Sequence, residues 1–287
     1  METFIFSDEF KSITKNKAVE YMSDNKTLYD NVAPVYNSTR QADPYIAEKL
    51  FQFLSPQAGK LYLDIGCGTG NYTIALANKG LNFFGIEPSE KMLDIAKSRN
   101  SKINWLRGQA EQIPLNDNFF DGAIATLTIH HWVSIKKAFT EIQRVLNDKG
   151  KIVFFTATPE QMKGYWLNHY FPKTLAASIL QMPSFEAIEN AAIETGFVIT
   201  ATEKYFIQDD LKDHFLYAGK NRPELYFDEE IRQGISSFSA LSNAKEVQQG
   251  LSKLQIDINL NKFEEIKEKF NNDSGDYLFV ILEKKNH

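Results

Sequence analysis

The run Asp64-Ile65-Gly66-Cys67-Gly68-Thr69-Gly70 places three alternate glycines directly after an apolar stretch, LYLDIG, and directly before a helix-like one, NYTIALA. Lacking a Cβ, glycine lets the backbone turn tightly and lets a ligand approach the main-chain amides that open a helix. The spacing is G-x-G-x-G. A dinucleotide fingerprint needs its third glycine at position 71, where Asn71 stands, so the pyrophosphate-binding version is not met. Glu87 closes the next apolar run, NFFGIE, about twenty residues on, where a carboxylate at a strand end accepts hydrogen bonds from ribose hydroxyls. A glycine turn or a strand-end acid alone means little; together they describe a nucleoside site. A second chemical feature is His130-His131-Trp132, because imidazole ordinarily titrates near operating pH and takes a proton from a hydroxyl or an acidic carbon. The same pair serves as packing at the start of a helix before Ser134. Two adjacent histidines without a third regularly spaced ligand give little support for a metal, and none is expected.

These residues need a scaffold, and the text from 61 to 157 supplies one by alternating short apolar runs with amphipathic ones. It reads as strand LYLDIG, a helix near 71–79, strand NFFGIE, a helix over 89–99, strand INWLRG, strand GAIATLTI, a helix over 134–146 and strand KIVFFTA. Alternation at this pitch predicts an α/β fold with a doubly wound parallel sheet. Upstream, Ile46, Ala47, Leu50, Phe51 and Leu54 share one helical face that ends at Ser55-Pro56. Downstream come an aromatic segment, GYWLNHYF, a helix around 184–195 and a strand, GFVITATEKYFI. Residues 209–273 read as mostly helical and polar, and DYLFVILEK returns the chain to the sheet. The expected organisation is an N-terminal helical lid over 1–59 and a core over 60–208 with a small insertion at 158–183. A helical cap over 209–273 and a closing strand within 274–287 complete it.

The 287 residues are 43% hydrophobic, 13% aromatic and 24% charged, enough to bury a sizeable core and to exclude disordered and fibrous classes. Thirty-two Lys plus Arg against 37 Asp plus Glu give a formal net charge of −5 without a basic cluster, so no nucleic-acid partner is expected. Cys67 is the single cysteine, which excludes an intramolecular disulfide, a multi-cysteine zinc site and a two-cysteine redox motif, and fits a cytoplasmic location. No run of 18 apolar residues and no signal-peptide-like start is present, so neither a membrane span nor export is expected.

Four segments together resemble the class I S-adenosylmethionine-dependent methyltransferases: LYLDIGCGTGNYTIAL (61–76), GIEPSEKML (85–93), RGQAEQIPLNDNFFDGAIATLTIHHW (107–132) and EIQRVLNDKGKIVFF (141–155). Together they span 61–155, about a third of the chain. Within that family the chain is most similar to the small-molecule branch that includes the ubiquinone and menaquinone C-methyltransferases. The resemblance implies a Rossmann-like, mostly parallel seven-stranded sheet, S-adenosyl-L-methionine as cofactor, and methyl transfer to O, N or C of a small, partly apolar acceptor. It implies that Gly66, Gly68 and Gly70, with Cys67 between them, pass the methionine and ribose part of the cofactor. Asp64 would organise that loop and Glu87 hold the ribose hydroxyls. Gln109 and Ala110 would face adenine, with Pro88 and Met92 beside the ring and Glu111 and Thr126 as further cofactor contacts. Many relatives carry an acid where Gln109 stands; its side-chain carbonyl can accept from the same amino group. The lead-in LYDNVAPVYNSTRQADPYI resembles the helix that closes over the cofactor in this branch, which makes Tyr29, Tyr36 and Arg40 candidates, Arg40 through a fork matched to a carboxylate.

A sulfonium methyl is already activated, so transfer asks for positioning, a nucleophile and sometimes a base. The acceptor is expected where the strand ending at Thr126–Ile129 meets its loop, with His130 or His131 touching it. Tyr165, Trp166 and His169 are expected to line an apolar pocket, with Phe206, Phe215 and Tyr217 in the cap nearby. Absent motifs weigh against base-amino, arsenite and cyclopropane-forming branches. Another reaction on the same scaffold, or a non-catalytic binding module, stays open. A helical cap is a dimer surface as readily as a lid, so both a monomer and a homodimer fit.

Overall fold

Apolar residues at successive positions of a short strand need cover on both faces, and the sheet provides it. The computed structural model describes residues 39–285. Seven strands are β1 (Leu61–Ile65), β2 (Asn82–Glu87), β3 (Asn104–Arg107), β4 (Phe120–Thr126), β5 (Leu146–Thr156), β6 (Phe197–Tyr205) and β7 (Tyr277–Lys284). Their order is β3-β2-β1-β4-β5-β7-β6, parallel throughout except for β7, which runs antiparallel to both β5 and β6. Alternate residues part to opposite layers. Tyr62, Ile124, Val153, Phe155 and Phe279 enter one core, and Leu63, Ala123, Ala125, Ile152, Phe154 and Val280 the other. The expected α/β class and strand number are both present.

The helices form where caps and apolar spacing coincide. Helix α1 (Pro44–Leu54) opens with the Asp43 side chain accepting from the Ile46 N–H and with Pro44 at its first position, and it stops at Ser55 with φ 48°. Its buried face, Ile46, Ala47, Leu50 and Leu54, lies on the sheet; a Cβ on Gly122 of β4 would come within 2.8 Å of Leu54 Cδ1. Helix α2 (Asn71–Ala77) follows β1, α3 (Glu90–Arg99) follows β2 behind the Ser89 cap, and α4 (Ile135–Val145) follows β4 behind the Ser134 cap. After β5 come α5 (Pro159–Lys163), α6 (Leu167–Tyr170), α7 (Pro172–Gln181) and α8 (Phe185–Glu194). Between β6 and β7 lie α9 (Glu229–Gln233), α10 (Ala244–Asn259) and α11 (Phe263–Glu268), with short turns at Pro223–Phe227 and Ser237–Leu241.

The stretch 209–273 departs from the mostly helical and polar expectation. Phe215, Tyr217, Tyr226, Phe238 and Phe263 are buried and join one cluster with Tyr165, Trp166, Phe171 and the α1 face. Single-turn helices hide such residues from a periodicity reading, because too few turns repeat. Glu246 of α10 ties the two insertions together by accepting from the N–H groups of Lys173 and Thr174 and from the Thr174 hydroxyl at the start of α7. Among the described residues no helix is long and apolar enough to cross a membrane.

Chain order fixes the position of the site. From β1 the chain builds β2 and β3 on one side and then crosses to β4 on the other. The carboxyl ends of β1, β2 and β4 therefore meet at the point where strand order reverses, which is where open α/β sheets bind ligands.

Candidate functional site

The glycine loop leaves β1 with the N–H groups of Gly66 and Cys67 both donating to the Ile86 carbonyl, at 2.9 and 3.0 Å. All three of its glycines take positive φ, 72°, 54° and 80° for Gly66, Gly68 and Gly70. Protein atoms fill the space a side chain would need at two of them. A Cβ on Gly66 would reach Thr128 Cβ within 2.8 Å, and one on Gly70 would meet the Trp105 indole, with Cζ3 at 3.1 Å. Only the Cβ position of Gly68 faces open space, with nothing within 4 Å. Of the three, Gly68 alone leaves free space beside its backbone, whereas Gly66 and Gly70 answer to backbone conformation and packing.

Glu87 fastens this loop from the end of β2. Its two oxygens accept from the Gly68 N–H at 3.1 Å and the Ser89 N–H at 3.0 Å, and the residue is 8% exposed. An ionised carboxylate has about four lone-pair sites, so acceptor capacity remains for two ribose hydroxyls. Burial pushes its pKa up to about 7 against the pull of the Ser89 and Gly68 amides. Asp64 lies beneath, 2% exposed, accepting the Thr73 hydroxyl at 2.6 Å. Burial, opposed by that hydroxyl and reinforced by the Glu87 charge, carries it to about 7 as well. Asp64 therefore ties the end of β1 to α2.

The other expected cofactor residues separate by position. Gly108 N–H donates to the Glu87 carbonyl at 3.3 Å, which brings exposed Gln109 and buried Ala110 to the Glu87 end of the crevice. Pro88 is exposed there and Met92 is 1% exposed inside α3. Three expectations need correction. Glu111 turns away and accepts from the Val133 and Ser134 N–H groups, serving the start of α4. Cys67 packs behind the loop with Leu93, Ala96, Ile103 and Trp105, and burial first, then Asp64 and Glu87, raise its thiol pKa well above the ordinary value. Arg40 does not offer a free fork. Its Nε and Nη2 engage Asp213, the latter at 3.3 Å, and its carbonyl accepts from Asn71 Nδ2 at 3.0 Å. Tyr29 and Tyr36 lie outside the described residues.

The end of β4 carries a second group of polar atoms. Thr126 Oγ1 is buried without a hydrogen-bond partner, and Leu127 adopts φ 53° while its N–H donates to the Phe155 carbonyl at 2.8 Å. A left-handed leucine is uncommon and redirects the chain into the turn Ile129–His131. His130 and His131 stand with ring centroids 3.9 Å apart, and His130 Nδ1 is likewise buried without a partner. Burial, then the Arg40 charge, lower the His130 pKa to about 4; burial, then His130, lower that of His131 well below its ordinary value. The expectation of an imidazole poised near neutrality is corrected by this: both rings are neutral at pH 7, which favours hydrogen bonding over proton storage.

Beside them opens a cavity with about 680 Å³ of atom-free space, part of it open to solvent, walled by Arg40, Leu127, His130, Met162, Leu216 and Tyr277 among others. Phe215 reaches it as expected, whereas Tyr165, Trp166 and His169 do not. Tyr165 is 1% exposed, stacks on Tyr217 at 3.9 Å and donates its hydroxyl to the Asp276 carbonyl; Trp166 is fully buried and donates Nε1 to the Lys220 carbonyl. Their polar atoms are satisfied inside the core, and His169 sits edge-on to Tyr170 away from the cavity. Phe206 is 43% exposed. Sequence reasoning missed Met162, Leu216, Trp105 and Asp213; the glycine at 70 with an aromatic at 105 is the one local hint, and nothing short of the fold pairs Asp213 with Arg40.

Comparison with known proteins finds methyltransferases. A family model described as "Methyltransferase domain" matches residues 63–154. A solved putative methyltransferase from an antibiotic biosynthesis pathway of Anabaena variabilis is 35% identical, with TM-score 0.76, covering 85% of this chain and 98% of that one. An uncharacterized methyltransferase of Mycobacterium tuberculosis is 33% identical over 122 residues, 42% of this chain and 50% of that protein, so the chain spans about half the length of such curated relatives. A demethylmenaquinone methyltransferase of Clavibacter sepedonicus is 27% identical over 172 residues, 56% of this chain and 69% of that protein.

Proposed function

This chain belongs to the class I S-adenosylmethionine-dependent methyltransferases, and from that membership we propose that it transfers a methyl group from S-adenosyl-L-methionine to O, N or C of a small-molecule acceptor. The observation that carries the proposal is the Glu87–Gly68 hydrogen bond beneath open space: a carboxylate with spare acceptor sites beside the one loop glycine whose Cβ position is free. The donor set fits the cofactor, since Glu87 suits ribose hydroxyls, and the unpartnered Thr126 Oγ1 offers a further polar contact at the same sheet edge. Bound there, the cofactor supplies an activated methyl on a sulfonium.

In this reading the protein's residues position and enclose. Gly68 floors the methionine and ribose part, Gln109 and Ala110 face adenine, and Asp64 with Thr73 keeps the loop rigid. The neutral His130 ring, at the cavity wall, receives a hydrogen bond from the acceptor and aligns its nucleophilic atom. Of the expected lid over 1–59, α1 is packed on the sheet, and the part ahead of it, with Tyr29 and Tyr36, acts as the lid, with 209–273 and 158–183 as a cap over a core of 60–208 and 274–287. Closing both excludes water. The Clavibacter relative, named for a demethylmenaquinone acceptor, supports a partly apolar small molecule. A cytoplasmic enzyme, monomeric or homodimeric, completes the reading.

Calorimetric titration of S-adenosylhomocysteine tests it without the acceptor. Wild type is expected to bind, and Glu87→Ala to bind at least about tenfold more weakly, roughly 1.4 kcal/mol. A folded wild type that takes no S-adenosylhomocysteine ends the proposal.

A further inference from the structure

Among the described residues that wall the cavity, Arg40 is the only charged side chain, and its charge is already answered. Asp213, 1% exposed and contributed by the 209–273 insertion, holds the guanidinium through both carboxylate oxygens. Asp213 is itself pinned by the Tyr72 hydroxyl, which donates to Oδ2 at 3.1 Å from the first turn after the glycine loop. The two imidazoles add no charge, since burial and the neighbouring Arg40 keep His130 neutral and burial and His130 keep His131 neutral. What remains is a wall of Met162, Leu216 and Ile235 with neutral hydrogen-bonding residues, Gln181, Ser237 and His130.

An anion entering such a space would lose its hydration without meeting an available counter-charge. To offer one, Arg40 would have to release Asp213, leaving a buried carboxylate unpaired. A hydroxyl needs only one acceptor, and a neutral imidazole has one.

We propose that Asp213 is a specificity-determining residue: by holding Arg40 in a closed ion pair it keeps the acceptor cavity neutral, so that the site takes an uncharged, largely apolar acceptor presenting a hydroxyl to His130 and rejects carboxylates and phosphates. The inference rests on the methyltransferase reading only in calling the occupant an acceptor.

The test uses the full chain and two probes of one ring system, 2-naphthol, neutral at pH 7, and 2-naphthoate, an anion. Binding of each is measured by calorimetry with and without saturating S-adenosylhomocysteine. Wild type is expected to favour naphthol by at least about tenfold, and Asp213→Asn, which keeps the shape and strips the charge, to move that ratio at least about tenfold toward naphthoate. The double variant Asp213→Asn/Arg40→Gln is expected to restore the naphthol preference. Should Asp213→Asn not fold, Arg40→Gln alone reads the opposite sign, since the Asp213 charge, no longer answered by the guanidinium, then favours 2-naphthylmethylammonium over naphthol. A merely structural Asp213 would change melting temperature and all affinities together and leave the ratios alone. Equal wild-type affinity for both probes, binding of neither, or unchanged ratios in folded single variants overturns the inference. Failure of wild type to bind S-adenosylhomocysteine, with the naphthol preference intact, would instead fell the cofactor reading alone.

Discussion

Replacing Gly70 by alanine is expected to destabilise the protein by about 3–4 kcal/mol, whereas Gly68→Ala is expected to lose about 1–2 kcal/mol and to weaken S-adenosylhomocysteine binding at least about thirtyfold. Both glycines have positive φ, 80° and 54°, so each alanine carries the left-handed penalty of about 1–2 kcal/mol. They differ in what the new methyl meets. At Gly70 it meets the Trp105 indole, which has no room to retreat. Its Nε1 donates to the Asn100 carbonyl at 2.8 Å, and its other edge lies where a Cβ on Gly85 would be, 2.6 Å from Cζ3. Overpacking of that kind adds about 1–3 kcal/mol. At Gly68 the methyl enters open space, so the fold tolerates it and the ligand does not. Denaturant titration of Gly70→Ala in wild-type and Trp105→Leu backgrounds checks the first half. The penalty should shrink to the conformational part once the indole is gone, and an equal loss in both backgrounds would refute the packing account. Unchanged S-adenosylhomocysteine affinity in Gly68→Ala would remove that glycine from the floor of the site.

That contrast also shows what a sequence can and cannot disclose. Gly66, Gly68 and Gly70 look alike in the text, and their different jobs depend on Thr128 and Trp105, brought beside them by β4 and β3. The strands and their parallel order were legible because alternation and chain direction are local signals read through a strong topological rule. Glu87 was legible for the same reason, one strand and one turn from the loop it fastens. The Arg40–Asp213 pair joins residues 173 positions apart, and no local pattern marks it. Tyr165 and Trp166 misled because an aromatic run looks the same whether it lines a cavity or fills a core. Only the location of their hydroxyl and indole partners, the Asp276 and Lys220 carbonyls, distinguishes the two. Burial is equally invisible in the text, and it is burial first that lowers the pKa values of His130 and His131 and keeps both rings uncharged at pH 7.

S-adenosylhomocysteine should bind roughly thirty- to a hundredfold more weakly at pH 5 than at pH 8, with release of a proton on binding near pH 6.5. Glu87 is the source. In the cofactor-free protein burial holds its pKa at about 7, and ribose hydroxyls, which donate, prefer the ionised form. Affinity then falls toward tenfold per pH unit below about 7 and levels off above it. The sign for folding is the reverse of ordinary acid denaturation. Between the unfolded value of 4.5 and the native value of about 7 the native chain keeps a proton that the unfolded chain has lost, so the Glu87 contribution to stability declines as pH rises, by on the order of 3 kcal/mol in all. Asp64, also at about 7, acts in the same direction. The two histidines act in the opposite one, since their lowered values let the unfolded chain bind the extra protons below about 6.5. Melting temperature against pH therefore mixes opposing slopes and settles nothing about Glu87, whereas the ligand-linked proton isolates it. Calorimetry in buffers of different ionisation enthalpy counts that proton, and Glu87→Gln should abolish both the count and the pH dependence while keeping an amide oxygen for one hydroxyl. Affinity that is flat from pH 5 to 8, or a slope that survives in Glu87→Gln, would mean that the titrating group lies elsewhere and that Glu87 does not hold the ribose in its ionised form.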